Sequence, residues 1–229
     1  MNPLAPYIQS QIKLFKNDPH KAIPTTRPFI TISRQSGAYG TTIAESLVEY
    51  LKLHDPQKDH PWTKFDKELI DRVMQDHDLP QSIINYFPES TVSEIKDALE
   101  ELFDLHPSQY ALIHKTSETI IHLAQLGFVV LVGRGANIIT SKLPHGVHVR
   151  LTGSFEKRAS HMQEYLNISE KESRIYVLKE EQARKNYIHK YFEKDIDNPL
   201  LYDLIINTDT IPIPTAVQII GDLALGHCQ

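Results

Sequence analysis

The chain has 229 residues, enough for one full core with an insertion or for two small domains. Its net charge of -5 at pH 7 argues against a general nucleic-acid-binding protein, because such proteins carry a basic surface. The single cysteine, Cys228, excludes a disulfide framework, and every apolar run is too short to cross a bilayer. The first residues lack the pattern of a signal peptide, so we expect a cytoplasmic protein.

The N-terminal half begins with an extension, residues 1–28, in which a short amphipathic pattern is interrupted by prolines. A buried strand is predicted over 29–33 and a helix over 41–54. The segment 33–42, which we call the phosphate loop, is rich in small residues. Backbone N–H groups in such a loop, with a helix N-terminus behind them, form an anion site. The alternative is a simple turn with a helix cap.

Candidate phosphate ligands fill this loop: Ser36, Gly37, Ala38, Tyr39, Gly40, Thr41 and Thr42. A nucleotide-binding loop of this kind usually carries a lysine that contacts the β- and γ-phosphates, and here Gly40 stands in its place. Arg34, at the start of the loop, is the candidate that replaces part of the missing charge.

The middle of the chain contains two further predicted strands. Residues 62–65 form a short strand with Asp66 at its end, and 67–110 are mostly helical and polar. A helix over 110–126 ends at a glycine. The apolar run 128–132 predicts a strand buried on both faces, and Arg134 follows it between two glycines.

The C-terminal part predicts strands over 146–151 and 204–207 and a last helix over 214–225. Ser154 is a candidate helix cap, and Ser169 with Glu172 forms a capping box. His145 and His148 are interpreted as surface or loop residues. Strands that alternate with helices predict a parallel sheet covered on both faces, with a ligand beyond the carboxyl ends of the strands.

Four blocks of this sequence carry a family resemblance, and they occur in the family's order. The first is the phosphate loop with its preceding strand, and the others are FDKELI at 65–70, GRGAN at 133–137 and YDLIINT at 202–208. Together they resemble the cytidylate kinase-like family. The resemblance implies an α/β, three-layer P-loop NTPase fold with a parallel sheet over 29–222, a helical monophosphate-binding insertion at 67–110 and a lid at 154–187.

The implied reaction is transfer of the γ-phosphoryl group of ATP to a nucleoside monophosphate, with Mg²⁺ and with CMP or dCMP as the leading acceptor. Such catalysis consists mainly of positioning and charge neutralisation. Thr42 is the candidate Mg²⁺ ligand, and Thr41 is the alternative. The expected partners are a nucleotide and a small phosphorylated substrate, bound by a monomer or a homodimer with no membrane association.

Four arginines are the candidate catalytic residues, and they are Arg34, Arg134, Arg158 and Arg184. A guanidinium at position 134 suits bidentate phosphate contact, although a salt bridge at the strand end is the alternative. Arg158 matches an arginine that the family places shortly after its fourth strand. The segment 181–184 resembles the family's Asp-x-x-Arg with Glu181 in place of Asp, and i,i+3 spacing also allows a structural ion pair.

Asp66, Arg72 and Arg134 are the candidate acceptor-binding residues. Asp66 is equally suited to cap the following helix, and Arg72 to be a solvated helix residue. Two rival functions stay open. The missing loop lysine and the missing aspartates around Arg134 favour a nucleotide-binding regulatory pseudokinase, whereas the retained arginines oppose it. The second rival is a kinase of another small molecule.

Overall fold

A computed structural model describes residues 27–56, 62–66 and 111–226 of the chain. The predictions for residues 1–26 and for the insertion at 67–110, which includes Arg72, lie outside the described residues. The N-terminal extension is seen only at its end, where the Arg27 guanidinium donates to the Leu126 carbonyl and the Pro28 carbonyl accepts from the Phe128 amide.

Strands and helices alternate along the described chain. Their bounds are β1 Phe29–Arg34, α1 Gly40–His54, β2 Thr63–Phe65, α2 Ala111–Leu126, β3 Val129–Val132, α3 Ala136–Ile139, β4 Gly146–Thr152, α4 Phe155–Leu166, α5 Glu170–Phe192, a 3₁₀ turn Pro199–Leu201, β5 Leu204–Asn207 and α6 Ile213–Gly226.

The five strands form one parallel sheet in the order β2-β3-β1-β4-β5. β1 lies at the centre, and Ile32 is in register with Val132 of β3 and Val149 of β4. Because all strands run the same way, the segments that follow β1, β3 and β4 emerge at one edge of the sheet. This edge is where parallel α/β sheets bind their ligands.

Apolar side chains cover both faces of the sheet, since side chains alternate along each strand. Ile30 and Ile32 of β1 pack with α1 and α6 on one face, while Phe29 packs with α2, α3 and the end of α5 on the other. Full burial of a Leu, Ile or Phe side chain contributes roughly 1.5–3 kcal/mol, so these two layers supply most of the stabilisation. The predicted three-layer α/β fold with a parallel sheet is confirmed.

The ends of the predicted elements differ from the structure by small amounts that have physical causes. Phe128 was predicted within β3, but its φ of 55° removes it from the strand. The short helix α3 was not predicted, because four residues carry too little periodicity to be recognised. Ser169 and Glu172 form the predicted capping box, with both reciprocal hydrogen bonds present.

Two local predictions differ from the structure. Ser154 holds the predicted N-cap position of α4, but its hydroxyl makes no cap hydrogen bond, and its backbone N–H donates to the Asp209 carboxylate. His148 is not a loop residue, because it lies on β4 with its Nδ1 2.9 Å from the Thr31 hydroxyl. Burial lowers the pKa of His148, and the nearby Asp203 carboxylate partly offsets this. Among the helices of the described segments, none is both long and apolar enough to cross a membrane.

Candidate phosphate-binding site

The phosphate loop follows β1 and turns tightly into α1. Gly37 has a φ of 83°, and a Cβ there would lie 2.4 Å from the Arg158 carbonyl oxygen, so only glycine lets α4 approach. Tyr39 also adopts a left-handed conformation, with a φ of 55°. Its ring stacks on His161 at 3.8 Å, and the His161 Nδ1–H donates to the Gly37 carbonyl. These contacts hold a strained loop in one shape.

The first turn of α1 presents hydrogen-bond donors to the loop. Within the described part of the chain, the amides of Gly40, Thr41 and Thr42 have no acceptor. Amides at the start of a helix lack intrahelical partners, and the helix dipole favours a negative charge beside them. This arrangement is the one that the sequence predicted for a phosphate group.

Arg34 fills the space where the usual lysine is missing. A Cβ at Gly40 would lie 2.7 Å from the Arg34 Cγ, and one at Gly133 would lie 2.2 Å from the Arg34 Nη1. The Arg34 stem therefore crosses Gly40, and its guanidinium rests on the backbone of Gly133 beyond β3. Residue 40 does not adopt a left-handed conformation, so its backbone does not require glycine. The close approach of the Arg34 stem explains why residue 40 has no side chain.

Two clefts meet at Arg34. The loop cleft, about 160 Å³, lies between the phosphate loop and helices α4 and α5, and it includes Thr41, Thr42 and Tyr176. The second cleft, about 270 Å³, lies between the ends of β1 and β3 and helix α5. Arg34 and Arg184 line both clefts, so their side chains lie at the junction.

The junction concentrates positive charge. Burial, followed by the proximity of Arg184, lowers the pKa of Arg34 to about 10, and Asp66 and Glu180 act against this decrease. Burial also lowers the pKa of Arg158, although the Glu181 carboxylate opposes it. Both arginines remain protonated at neutral pH. Crowded, half-desolvated cations of this kind are typical of a site that binds an anion.

The other predicted arginines occupy different positions around the junction. Arg134 lines the second cleft, with its guanidinium 5.9 Å from the Tyr187 ring centre, and it has a φ of 58° between two glycines that also have positive φ. Arg158 is buried, and it donates from Nε to the Gly153 carbonyl and from Nη1 to the Ser36 carbonyl. Arg158 therefore supports the backbone of the phosphate loop.

Glu181 and Arg184 form the ion pair that their spacing allows, with 3.7 Å between the Glu181 Oε1 and the Arg184 Nη1. Arg184 also donates to the Arg34 carbonyl at 3.3 Å, which ties α5 to the start of the loop. Asp66 follows β2 as predicted, and its carboxylate lies 3.5 Å from the Lys64 Nζ.

Sequence reasoning missed Arg150, which is buried below the junction. Its Nη1 donates to the Ser33 hydroxyl at 2.9 Å and its Nη2 to Asp197 at 3.0 Å. The second oxygen of Asp197 pairs with Lys185 of α5 at 2.6 Å. An arginine at an inward position of an apolar strand indicates a buried charge that needs partners. The sequence could not identify those partners, because Ser33 and Asp197 are distant from Arg150 along the chain.

The residues present fit a Mg²⁺ ion held largely by a nucleotide and water. Thr42 lies in the first turn of α1 with its side chain at the loop cleft, where a P-loop Ser or Thr reaches the metal. The described residues contain no cluster of three or more acidic, histidine or cysteine side chains. Mg²⁺ accepts such a site because it retains several waters and takes oxygen ligands from substrate phosphates.

Comparison with known proteins places this chain in a family. The model of the cytidylate kinase-like family matches residues 29–210, so the chain belongs to that family. The predicted family is thereby confirmed. No curated protein sequence matches the chain.

Solved structures provide further similarities. An uncharacterized protein from Eubacterium ventriosum is similar with a TM-score of 0.59 and 20% identity, over 86% of this chain and 98% of the other. Shikimate kinase from Bacteroides thetaiotaomicron is similar with a TM-score of 0.46 and 12% identity, over 86% and 97%. TT1252 from Thermus thermophilus gives 0.43 and 13%, over 85% and 96%.

Proposed function

We propose that this protein transfers the γ-phosphoryl group of ATP to a nucleoside monophosphate, with CMP or dCMP as the leading acceptor. Family membership supports a nucleotide or small-molecule kinase in general. The choice of a pyrimidine monophosphate rests on the family resemblance alone.

One observation carries the proposal: two clefts share Arg34 and Arg184 at their junction. In phosphoryl transfer, a donor and an acceptor approach from opposite sides, and negative charge spreads over the group in transit. Fixed guanidinium groups at the meeting point stabilise that charge. The loop cleft accordingly takes the phosphates of the donor, and the second cleft takes the phosphate of the acceptor.

Each residue then has a role. The amides of the phosphate loop and the first turn of α1 bind donor phosphates. Arg34 supplies the charge of the missing lysine, from the opposite end of the loop. Arg134 contacts the acceptor phosphate from the second cleft, and Asp66 contacts the acceptor from the end of β2. Arg158 holds the loop in shape, while Arg184 closes over the transferring group from α5, which we assign to the lid.

A Mg²⁺ ion bound together with the nucleotide would supply neutralisation of the phosphate charge. Thr42 is the protein hydroxyl that we propose as its ligand. The aspartates that would assist from either side of Arg134 are missing, because Val132, Gly133 and Gly135 occupy those positions.

The test is phosphoryl transfer from ATP and Mg²⁺ to a panel of nucleoside monophosphates, with ATP binding measured by calorimetry on the same sample. Turnover with CMP or dCMP, faster than with AMP, GMP or UMP, is the expected result. Binding of ATP without transfer to any acceptor supports the regulatory alternative. Transfer to a phosphate-free alcohol assayed in parallel, with none to the monophosphates, instead indicates a kinase of another small molecule.

A further inference from the structure

A carboxylate of the protein itself lies in the phosphate loop. The Ser36 amide donates to the Glu181 Oε1 at 2.6 Å. The same oxygen lies 3.7 Å from the Arg184 Nη1 and 3.8 Å from the Arg158 Nη1. The Glu181 side chain is only 15% exposed, so this contact is part of the packed site.

The groups around that oxygen are those that bind a phosphoryl oxygen. A loop amide that donates a hydrogen bond and two guanidinium groups at ion-pair distance attract a carboxylate or a phosphate alike. The backbone N–H groups of Gly40, Thr41 and Thr42 follow in the same loop, and within the described chain they have no acceptor. Glu181 therefore satisfies one part of a larger anion site and leaves the rest open.

We infer that Glu181 is an internal competitor for a phosphate group, which must displace its carboxylate from the subsite formed by Ser36, Arg158 and Arg184. This inference rests on the proposed function, because it assigns that subsite to a donor phosphate. Glu181 lies on α5, so its displacement also breaks a link between this helix and the phosphate loop.

The length of the Glu181 side chain allows its carboxylate to reach the Ser36 amide. The side chain of aspartate is one methylene shorter than that of glutamate. An aspartate on the same helix withdraws its carboxylate from the Ser36 amide while keeping the charge near Arg184. Glu181→Asp thus removes the contact without removing the charge, whereas Glu181→Gln removes the charge and keeps the shape.

The test is calorimetric titration of the full chain with inorganic phosphate, and separately with ATP in the absence of divalent ions. If Glu181 occupies the subsite nine-tenths of the time, only about one-tenth of the molecules are open to phosphate. The apparent affinity for phosphate is then about tenfold weaker than the intrinsic affinity. Both Glu181→Gln and Glu181→Asp are expected to bind each probe up to about tenfold more tightly than the native chain. Melting temperatures verify that each variant is folded.

Glu180→Gln is the matched control, because Glu180 also pairs with Arg184, at 3.4 Å, but does not contact the Ser36 amide. It removes the same charge from the same helix. Equal gains from Glu180→Gln and Glu181→Gln would overturn the inference in favour of a general charge effect. Unchanged affinities in both Glu181 variants would also overturn it while leaving the proposed function intact. Failure of every form, including the native chain, to bind ATP would instead overturn the proposed function.

Discussion

At the scale of single residues, the feature that distinguishes this loop is the pairing of Arg34 with Gly40. The loop does not simply lack a cation, because the Arg34 stem occupies the space above residue 40. A lysine added at position 40 has to compete with Arg34 for that space. The absence of a side chain at residue 40 therefore allows the Arg34 side chain to lie across the loop.

Gly40→Ala tests this pairing directly. Its Cβ displaces the Arg34 stem, so we expect at least a tenfold loss of kcat/KM in the native background. In an Arg34→Ala background, the same substitution should cost little more, because coupled residues are non-additive. Gly226→Ala is the control, since a Cβ there meets no atom within 4 Å. Equal losses in both backgrounds would mean that Gly40 acts independently of Arg34.

Arg134 is tested by a second substitution. If its guanidinium binds the acceptor phosphate, Arg134→Ala should lower turnover by about a hundredfold or more, as loss of a transition-state donor does. The melting temperature should change little. Arg174→Ala is the matched control, because Arg174 pairs with Glu156 on the surface. A large fall in melting temperature with Arg134→Ala would assign this arginine to the fold.

At the scale of elements, the sequence predicted the parts whose signals are local. The β-branched run before residue 133 predicted β3, and Ser169 with Glu172 predicted the start of α5. The stack of Tyr39 on His161 and the bond from Ser36 to Glu181 were not predictable, because each joins residues from separate elements. Arg150 and Ser33 are 117 residues apart, and only the parallel register of β1 and β4 brings them together.

The two serine caps give a matched experiment on helix starts. The Ser169 hydroxyl accepts from the Glu172 amide, whereas the Ser154 hydroxyl makes no such bond. Ser169→Ala should lower stability by about 1 kcal/mol, which is roughly 2–4 °C in Tm for a domain of this size. Ser154→Ala should cost less than half as much in thermal unfolding. Equal losses would contradict the assigned difference between the caps.

At the scale of the whole molecule, stability depends on pH through buried groups outside the site. Burial lowers the pKa of His122 on α2 to about 4, against 6.5 for the free side chain. Below pH 6.5 the unfolded chain therefore binds a proton that the folded chain excludes, and stability falls until about pH 4. The loss between pH 7.5 and pH 5 should be about 2 kcal/mol.

His122→Gln removes this titration, so its unfolding free energy in urea should fall by less between pH 7.5 and pH 5. The difference from the native chain should approach about 2 kcal/mol. His114→Gln, an exposed position on the same helix, is the control and should follow the native chain. An identical pH dependence in His122→Gln and the native chain would show that folding does not lower the pKa of His122.

For the whole molecule, we have proposed phosphoryl transfer at the junction of two clefts, with Arg34 supplying the charge of the missing lysine. The most direct measurement is single-turnover transfer from γ-labelled ATP to the best nucleoside monophosphate, in the native chain and in Arg34→Ala. We expect measurable transfer by the native chain and at least a hundredfold slower transfer by the variant. Equal rates in the two proteins, or ATP binding with no transfer by the native chain, would contradict the account.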